Sequence, residues 1–457
     1  MFSSDLWHQS GVSVYSIDQS IRFNDGDSAY MHKTPGSAGN QKTHTLSWWI
    51  KRSSNLGAYQ TIFSARTGSG GATNYAISFT DADKIEFYLG NGSVVDGGLT
   101  NMVFRDVSAW YHIVLAIDTT QGTASNRFKV YVNGSQVTTD GSYGDLAQNT
   151  DYNWNSSREH SIGRQNYNNN AYIDAYMTEI NFVDGTALDP SSFGETNDNG
   201  IWIPKEYTGS YGTNGYFIDG RDASDLGDDE SGNGNDYTTS GLAAADQFLD
   251  SPTNLFTTFN SLSNRLKTFS NGNLEAVAAS ATTAHKTTKS TLGIPPSSTG
   301  KFYHEIQVPG STGSGDVDII GYADLEDGSN TESSTVNSGS GYGIGYKIGT
   351  GEEYLGAGWT DNSFTFAGFV ANNYYGFAYD ASTGKLYIYQ NGSALNSGAH
   401  VATFDKRSTI GPGFSCYNNT NTYKLFNGGQ TSLSNDNFNY APPTGYVPIN
   451  STNIGAS

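Results

Sequence analysis

Two stretches of this chain share one pattern: RFKVYVNGSQV at 127–137 and KLYIYQNGSAL at 385–395. In each, apolar and polar residues alternate up to an Asn-Gly pair, Asn133-Gly134 or Asn391-Gly392. Alternation with period two places successive side chains on opposite faces of a strand. Asn-Gly supplies the two left-handed residues that a tight hairpin turn requires. Both stretches therefore read as antiparallel hairpins. THTLSWWIKRS at 43–53 alternates in the same way, with Leu46, Trp48 and Ile50 on one face. NYAISFTDADKIEFYLGNGS at 74–93 reads as two strands joined by an Asp-Ala-Asp turn, and WYHIVLAIDTT at 110–120 as another strand. YIDAYMTEINFVDG at 172–185 reads as a strand pair that closes this region. A second region, from about 265, opens with KFYHEIQVP at 301–309.

Strands at this spacing argue for sandwiches or jelly rolls. The length of 457 residues suits roughly two to four domains. No apolar run reaches the ~18 residues of a membrane-spanning helix. The first residues, MFSSDLWHQSGVSVYSIDQ, show no secretory signal. One Cys excludes an internal disulfide or a thiolate cluster, and Cys416 on an apolar run reads as a small core residue. The net charge of −20 disfavours nucleic acid and anionic membranes as partners, since both carry negative charge.

Between the two β-rich regions lies a turn-rich, acidic stretch, 205–264. It reads as an ordered connector with apolar anchors Tyr216, Phe217, Phe248 and Phe256. A short helix is expected at 242–249, ended by Pro252. The expected organisation is an N-terminal anchor at 1–19, a first sandwich at 20–204, the connector, and a second sandwich at 265–457.

The first region resembles the laminin-G-like, concanavalin A-like sandwich. HTLSWWIKRS, VSAWYHIVLAIDTTQGTASNRFKVYVNGSQV and AYIDAYMTEINFVDGTALDPSSFG carry that resemblance over roughly 20–200. The last region resembles a SPRY-type sandwich through GKFYHEIQV, NNYYGFAYDASTGKLYIYQNGSAL, TIGPGFSCYNN and YKLFNGGQ with FNYAPPTGYVPIN. It departs from that pattern at Gly428, where Phe usually stands, so a loosened final core contact is expected. The implied fold is all-β, with two concanavalin-like jelly-roll β-sandwiches joined by the connector.

Together the two sandwiches look like large virion proteins of marine tailed bacteriophages. That resemblance implies a fibre, spike, knob or decoration on the virion surface, made in the host cytoplasm without a signal peptide. It also implies a homo-oligomer, preferably a trimer, attached to other virion proteins and contacting a host polysaccharide or protein receptor. No catalysis is expected. The competing readings are a capsid decoration or connector with no ligand, and a polysaccharide-degrading tailspike-type enzyme.

Candidate site residues fall in two sets. Asp219, Asp222, Asp225, Asp228, Asn233 and Asp236 offer oxygen ligands on turning backbone, which suits Ca²⁺. Their competing role is to cap turns. A second oxygen-rich loop, Asn24-Asp25-Gly26-Asp27, reads as an ordinary hairpin turn. No cofactor is expected to be required. Tyr152, Trp154, Tyr167 and Trp359 sit in Asn/Gly-rich stretches and are candidates for stacking on sugar faces, against the alternative that they cap the sandwiches. Glu86, Asp174 and Glu179 are lone carboxylates expected to face solvent. Glu305 matches a structural position of the SPRY-like pattern, and His112 reads as a satisfied, partly buried histidine.

Overall fold

The computed structural model describes residues 15–53, 56–66, 71–263, 267–278, 286–310, 318–326, 343–351, 353–364, 366–416 and 421–456. Most of the expected anchor, residues 1–14, lies outside them. The described residues form two compact units that divide between Thr253 and Asn254. Each is an all-β sandwich of largely antiparallel sheets.

In the first unit, one sheet runs in the order Ser135–Val137, Phe128–Val132, Tyr111–Asp118, Thr43–Arg52, Ala175–Asp184, Ser20–Phe23 and Gln247–Phe248. The facing sheet runs Thr238–Ser240, Tyr30–Lys33, His160–Ile162, Gln60–Arg66, Asn74–Phe79, Ile85–Gly90 and Val95–Leu99. The alternating residues Leu46, Trp48 and Ile50 are fully buried and pack with Phe63, Ile77 and Phe87. Burying such side chains stabilises by about 1.5–3 kcal/mol each. The Asn24–Asp27 loop links two strands of different sheets, so it is a corner between sheets, not the hairpin expected.

The stretch beyond 204 does not bridge two finished sandwiches. Tyr216–Ile218 pairs with Ala175–Asp184, Thr238–Ser240 with Tyr30–Lys33, and Gln247–Phe248 with Ser20–Phe23. Tyr216, Ile218, Leu226 and Tyr237 are part of the first unit's core. Of the residues read as anchors, Tyr216, Phe217 and Phe248 are strand residues of the first unit, because both its sheets have edges that the segment up to Thr253 completes, and Phe256 is buried in the second unit. The helix expected at 242–249 is one 3₁₀ turn, Ala244–Asp246, followed directly by the Gln247–Phe248 strand. The pair expected at 172–185 is a single strand, Ala175–Asp184, with an irregularity between Thr178 and Asn181.

In the second unit, the larger sheet runs Lys267–Ser270, Glu275–Ala278, Thr422–Phe426, Lys301–Gln307, Tyr374–Asp380, Lys385–Gln390, Ala402–Phe404 and Trp359–Asp361. The other runs Lys286–Lys289, Ile410–Cys416, Ile319–Asp324, Ile344–Lys347 and Glu353–Leu355. Phe302, Ile306, Ile320, Phe377, Leu386, Ile388 and Phe414 are buried, and so is Cys416. Gly428 loosens nothing. Its φ is +80°, and a Cβ there would lie 2.6 Å from Pro448 and 2.8 Å from Phe438. The buried Phe438 ring and Pro448 close over the position, so a side chain at 428 has no room.

Both Asn-Gly turns have the expected left-handed geometry, with φ of 47° and 77° at Asn133-Gly134 and 46° and 76° at Asn391-Gly392. Each Asn ties to the strand beside it. The Asn133 side chain accepts from the His112 N–H at 2.8 Å, and that of Asn391 accepts from the Tyr374 N–H at 3.0 Å. Among the described residues no helix is long and apolar enough to cross a membrane.

Candidate functional site

Three of the four candidate sugar-stacking rings are core residues. Trp154 is 1% exposed, with its ring 4.5 Å from His160 and 5.3 Å from Tyr75 between centroids. Tyr152 is fully buried, and its hydroxyl donates to Asp96. Trp359 stacks on Phe404 at 4.7 Å and is buried. Their ring faces are already covered. Tyr152 and Trp154 stand in an Asn-rich loop that turns their rings inward, and Trp359 opens the Trp359–Asp361 strand. Tyr167 is different: it is 41% exposed, and the Arg66 guanidinium lies 5.1 Å from its ring centroid.

The acidic residues of 219–236 are largely committed to holding their own loop. The Asp222 carboxylate accepts from the Ser224 N–H and hydroxyl, and that of Asp225 from the Gly227 N–H. Asp219 pairs with Arg221 at 2.6 Å. The Asn233 amide donates to the Gly212 and Gly215 carbonyls, and Asp236 accepts from the Asp229 N–H. Asp229, in the same acidic cluster, organises the loop: it accepts from Phe217, Ser231 and Asn235 N–H groups. Burial and the nearby Asp236 and Asp225 raise the Asp228 carboxyl above its ordinary range. Among the described residues no three His, Cys, Asp or Glu side chains gather as a metal ion requires.

A Ser–His pair that sequence spacing could not reveal lies on the outer face of the first unit's larger sheet. Ser47 and His112 stand on neighbouring strands, with Oγ and Nε2 at 2.9 Å. The Trp202 Nε1–H donates to His112 Nδ1 at 3.0 Å. An indole nitrogen only donates, so Nδ1 is the acceptor and Nε2 carries the proton. Burial lowers the imidazole pKa to about 3, so the ring is neutral. A general base must present its unprotonated nitrogen to the hydroxyl it activates. Here that nitrogen is the protonated one, and the pair is a structural hydrogen bond. Trp49 stacks on the same ring at 4.8 Å.

The three carboxylates expected to face solvent are all buried. Glu86 accepts from the Tyr59 and Tyr143 hydroxyls, while Asp174 is fully buried. Glu179 sits at the strand irregularity with φ of 50°, a left-handed conformation costing about 1–3 kcal/mol for a residue with a Cβ. The irregularity turns both Met177 and Ile180 into the core, leaving Glu179 on the opposite side. Its Oε1 accepts from the Tyr15 hydroxyl at 2.9 Å. Burial raises the carboxyl to about 8; Asp219 and Glu206 push the same way, while Tyr15 and Arg221 oppose. The sequence signal was the slip in alternation between Met177 and Ile180.

Glu305, in the second unit, has the structural role expected of it. It accepts from the Tyr303 hydroxyl, the Asn439 N–H and side-chain amide, and the Tyr440 N–H at 2.9–3.2 Å. The same unit carries an open cleft of about 290 Å³ lined by Gln307, Val308, Pro309, Asn372, Asn421 and Lys424.

The family model Laminin_G_3, described as the concanavalin A-like lectin/glucanases superfamily, matches residues 24–192. The first unit thus carries a laminin G-like, concanavalin A-like domain. Among curated proteins, none matches the chain. Solved structures similar to it include SPRY-like neighbours such as the SPRY domain of human HERC1, at 11% identity and TM-score 0.30, covering 38% of this chain and 99% of that one. Domains LG4-5 of the mouse laminin alpha1 chain are similar at 10% identity and TM-score 0.29, with 92% and 85% covered. A heptameric SAP-like pentraxin from Limulus polyphemus is similar at 16% identity and TM-score 0.28, with 38% and 80% covered.

Proposed function

We propose that this chain is a non-catalytic surface protein of a tailed-bacteriophage particle, a compact knob, spike, fibre or decoration that attaches to host-surface polysaccharide or protein. The observation that carries this reading is how the candidate chemistry is committed. The Ser47–His112 proton lies on the wrong nitrogen for nucleophilic catalysis. Trp154, Tyr152 and Trp359 serve packing. What faces a partner is loop surface, and there Tyr167 over Arg66 presents an aromatic face beside a cation. Such a contact is weak alone, and a trimer of the chain multiplies it by avidity.

The test is electron microscopy of intact particles labelled with antibody against the chain, joined to binding of the purified chain to host cells. Label at the tail with binding lost on polysaccharide-stripped cells supports attachment to polysaccharide. Label on the capsid without cell binding replaces attachment by decoration. Unlabelled particles overturn the proposal. Release of sugar fragments from host polysaccharide by the purified chain overturns its non-catalytic half.

A further inference from the structure

We propose that residues 15–19 form a strap across Glu179 that stays closed while this carboxyl is protonated and opens as it ionises. The strap has no strand pairing of its own; the first ladder begins at Ser20. Among the described residues two anchors hold it. The Tyr15 hydroxyl donates to Glu179 Oε1 at 2.9 Å. Ile17, 4% exposed, is held through its main chain by Thr253, whose hydroxyl accepts from the Ile17 N–H at 3.1 Å and donates to its carbonyl at 2.8 Å. Ser16 and Asp18 are exposed, and the Ser16 hydroxyl donates to the Asp18 carboxylate at 2.9 Å. Gln19 keeps a buried Oε1 with no donor among the described residues. This is a lightly anchored segment lying on a strained, buried acid.

The charged groups around Glu179 fix the direction of the response. Asp219 and Arg221 follow the Tyr216–Ile218 strand and pair with each other. Glu206 reaches it from the loop after Trp202–Pro204, and Tyr15 from the strap. Tyr211, in the following loop, also senses the Glu179 charge. With the strap closed, the carboxyl is cut off from water, and one phenol hydrogen bond plus the distant share of Arg221 leaves its charge poorly compensated. Opening returns it to solvent. A buried acid that ionises more readily in the open state drives opening as pH rises. The linkage is reciprocal: loosening the strap must return the carboxyl toward its ordinary pKa.

Amide hydrogen exchange at Ile17, whose N–H is held by the Thr253 hydroxyl, corrected for intrinsic rate, reads the opening equilibrium directly. In the full chain, opening should increase tenfold or more between pH 6 and pH 8. Glu179→Gln should abolish that increase. Tyr15→Phe should raise opening at every pH while the pH dependence persists. A second readout covers the case in which Glu179→Gln does not fold: the carboxyl titration of Glu179 by carbon-13 NMR in the parent chain and in Ile17→Ser. In Ile17→Ser the titration should move down toward 4.5. Unchanged protection between pH 6 and 8, a Glu179→Gln variant that keeps the increase, or an Ile17→Ser titration that stays in place would each overturn the strap.

Discussion

Glu179 and Glu305 occupy comparable places in the two units. Each stands on a long strand of the larger sheet, buried, on the side away from the main core. Glu305 collects four donors and clasps the Asn439–Tyr440 turn. Burial still raises its carboxyl, but those donors pull it back. Glu179 receives one phenol and sits at a left-handed residue inside a strand. The difference teaches that burial alone does not define what an acid does. Saturated with donors, it is a fastening; left nearly unpaired, it responds to pH.

The comparison extends to histidine, where the largest effect is expected. His44, His112 and His160 in the first unit are pushed to about 4, 3 and 4 by burial, and His304 in the second to about 3. Their folded pKa values lie below the unfolded value of 6.5, so the unfolded chain binds more protons below that pH. Stability is full above about 6.5 and lost as pH falls toward the folded values, at about 1.4 kcal/mol per pH unit for each proton. Among the described residues, three such groups against one predict that the first unit opens at higher pH during acid titration. Hydrogen exchange of Thr43–Arg52 and Lys301–Gln307 between pH 7 and 4 compares them. A second unit that opens first breaks the comparison.

Next in size is the same substitution made at both acids. The Asn439 and Tyr440 N–H groups bond to different oxygens of Glu305, so Glu305→Gln turns a donor toward one of them whichever way the amide lies, and a loss of about 2–4 kcal/mol is expected in urea unfolding. Glu179→Gln should act oppositely. The Glu179 folded pKa of about 8 lies above its ordinary value, so the stability it contributes is full below about 4.5 and lost as pH rises to 8. The variant should therefore be more stable than the parent at pH 8, with the gap closing by pH 5. Equal signs at pH 8 would remove the distinction between fastening and responsive acid.

The hairpins give a smaller contrast. A Cβ at Gly134 would lie 2.4 Å from the Trp202 ring, whereas one at Gly392 would lie 3.0 Å from Tyr440. Both positions also have positive φ. Gly134→Ala should cost about 2–3 kcal/mol and Gly392→Ala about 1–2 kcal/mol, measured as shifts in unfolding midpoint. The smallest effect is expected at Tyr167, where replacement by Ala should change stability by less than about 0.5 kcal/mol. If the proposed attachment uses this ring, the same variant should bind host cells at least several-fold more weakly. Unchanged binding removes Tyr167 from the contact surface.

Much of the strand content was legible because alternation and turn chemistry are local. Asn133-Gly134 and Asn391-Gly392 form the turns their residues dictate, and Leu46, Trp48 and Ile50 point inward as their spacing requires. The slip between Met177 and Ile180 was also present as a change of phase. The role of 205–253 was not legible, because a short apolar run reads alike as a linker anchor or an edge strand until its partner strand is known. Nor was the fate of Trp154: a tryptophan among Asn and Ser looks loop-borne, while its neighbours Tyr75, Phe63 and Phe182 come from other parts of the chain.

By itself, then, the sequence determined two β-sandwiches, their tight hairpins and the inward faces of their strands, since each follows from residue spacing and local backbone preference. Only the tertiary structure decided where the protons and charges sit. His112 carries its proton on Nε2 because Trp202, far along the chain, donates to Nδ1. Glu179 is a strained, buried acid because a strand irregularity holds it at positive φ, and the phenol that bonds it, Tyr15, lies far along the chain. Protonation is set by burial and by donors brought together across long sequence separations, and no local pattern encodes either.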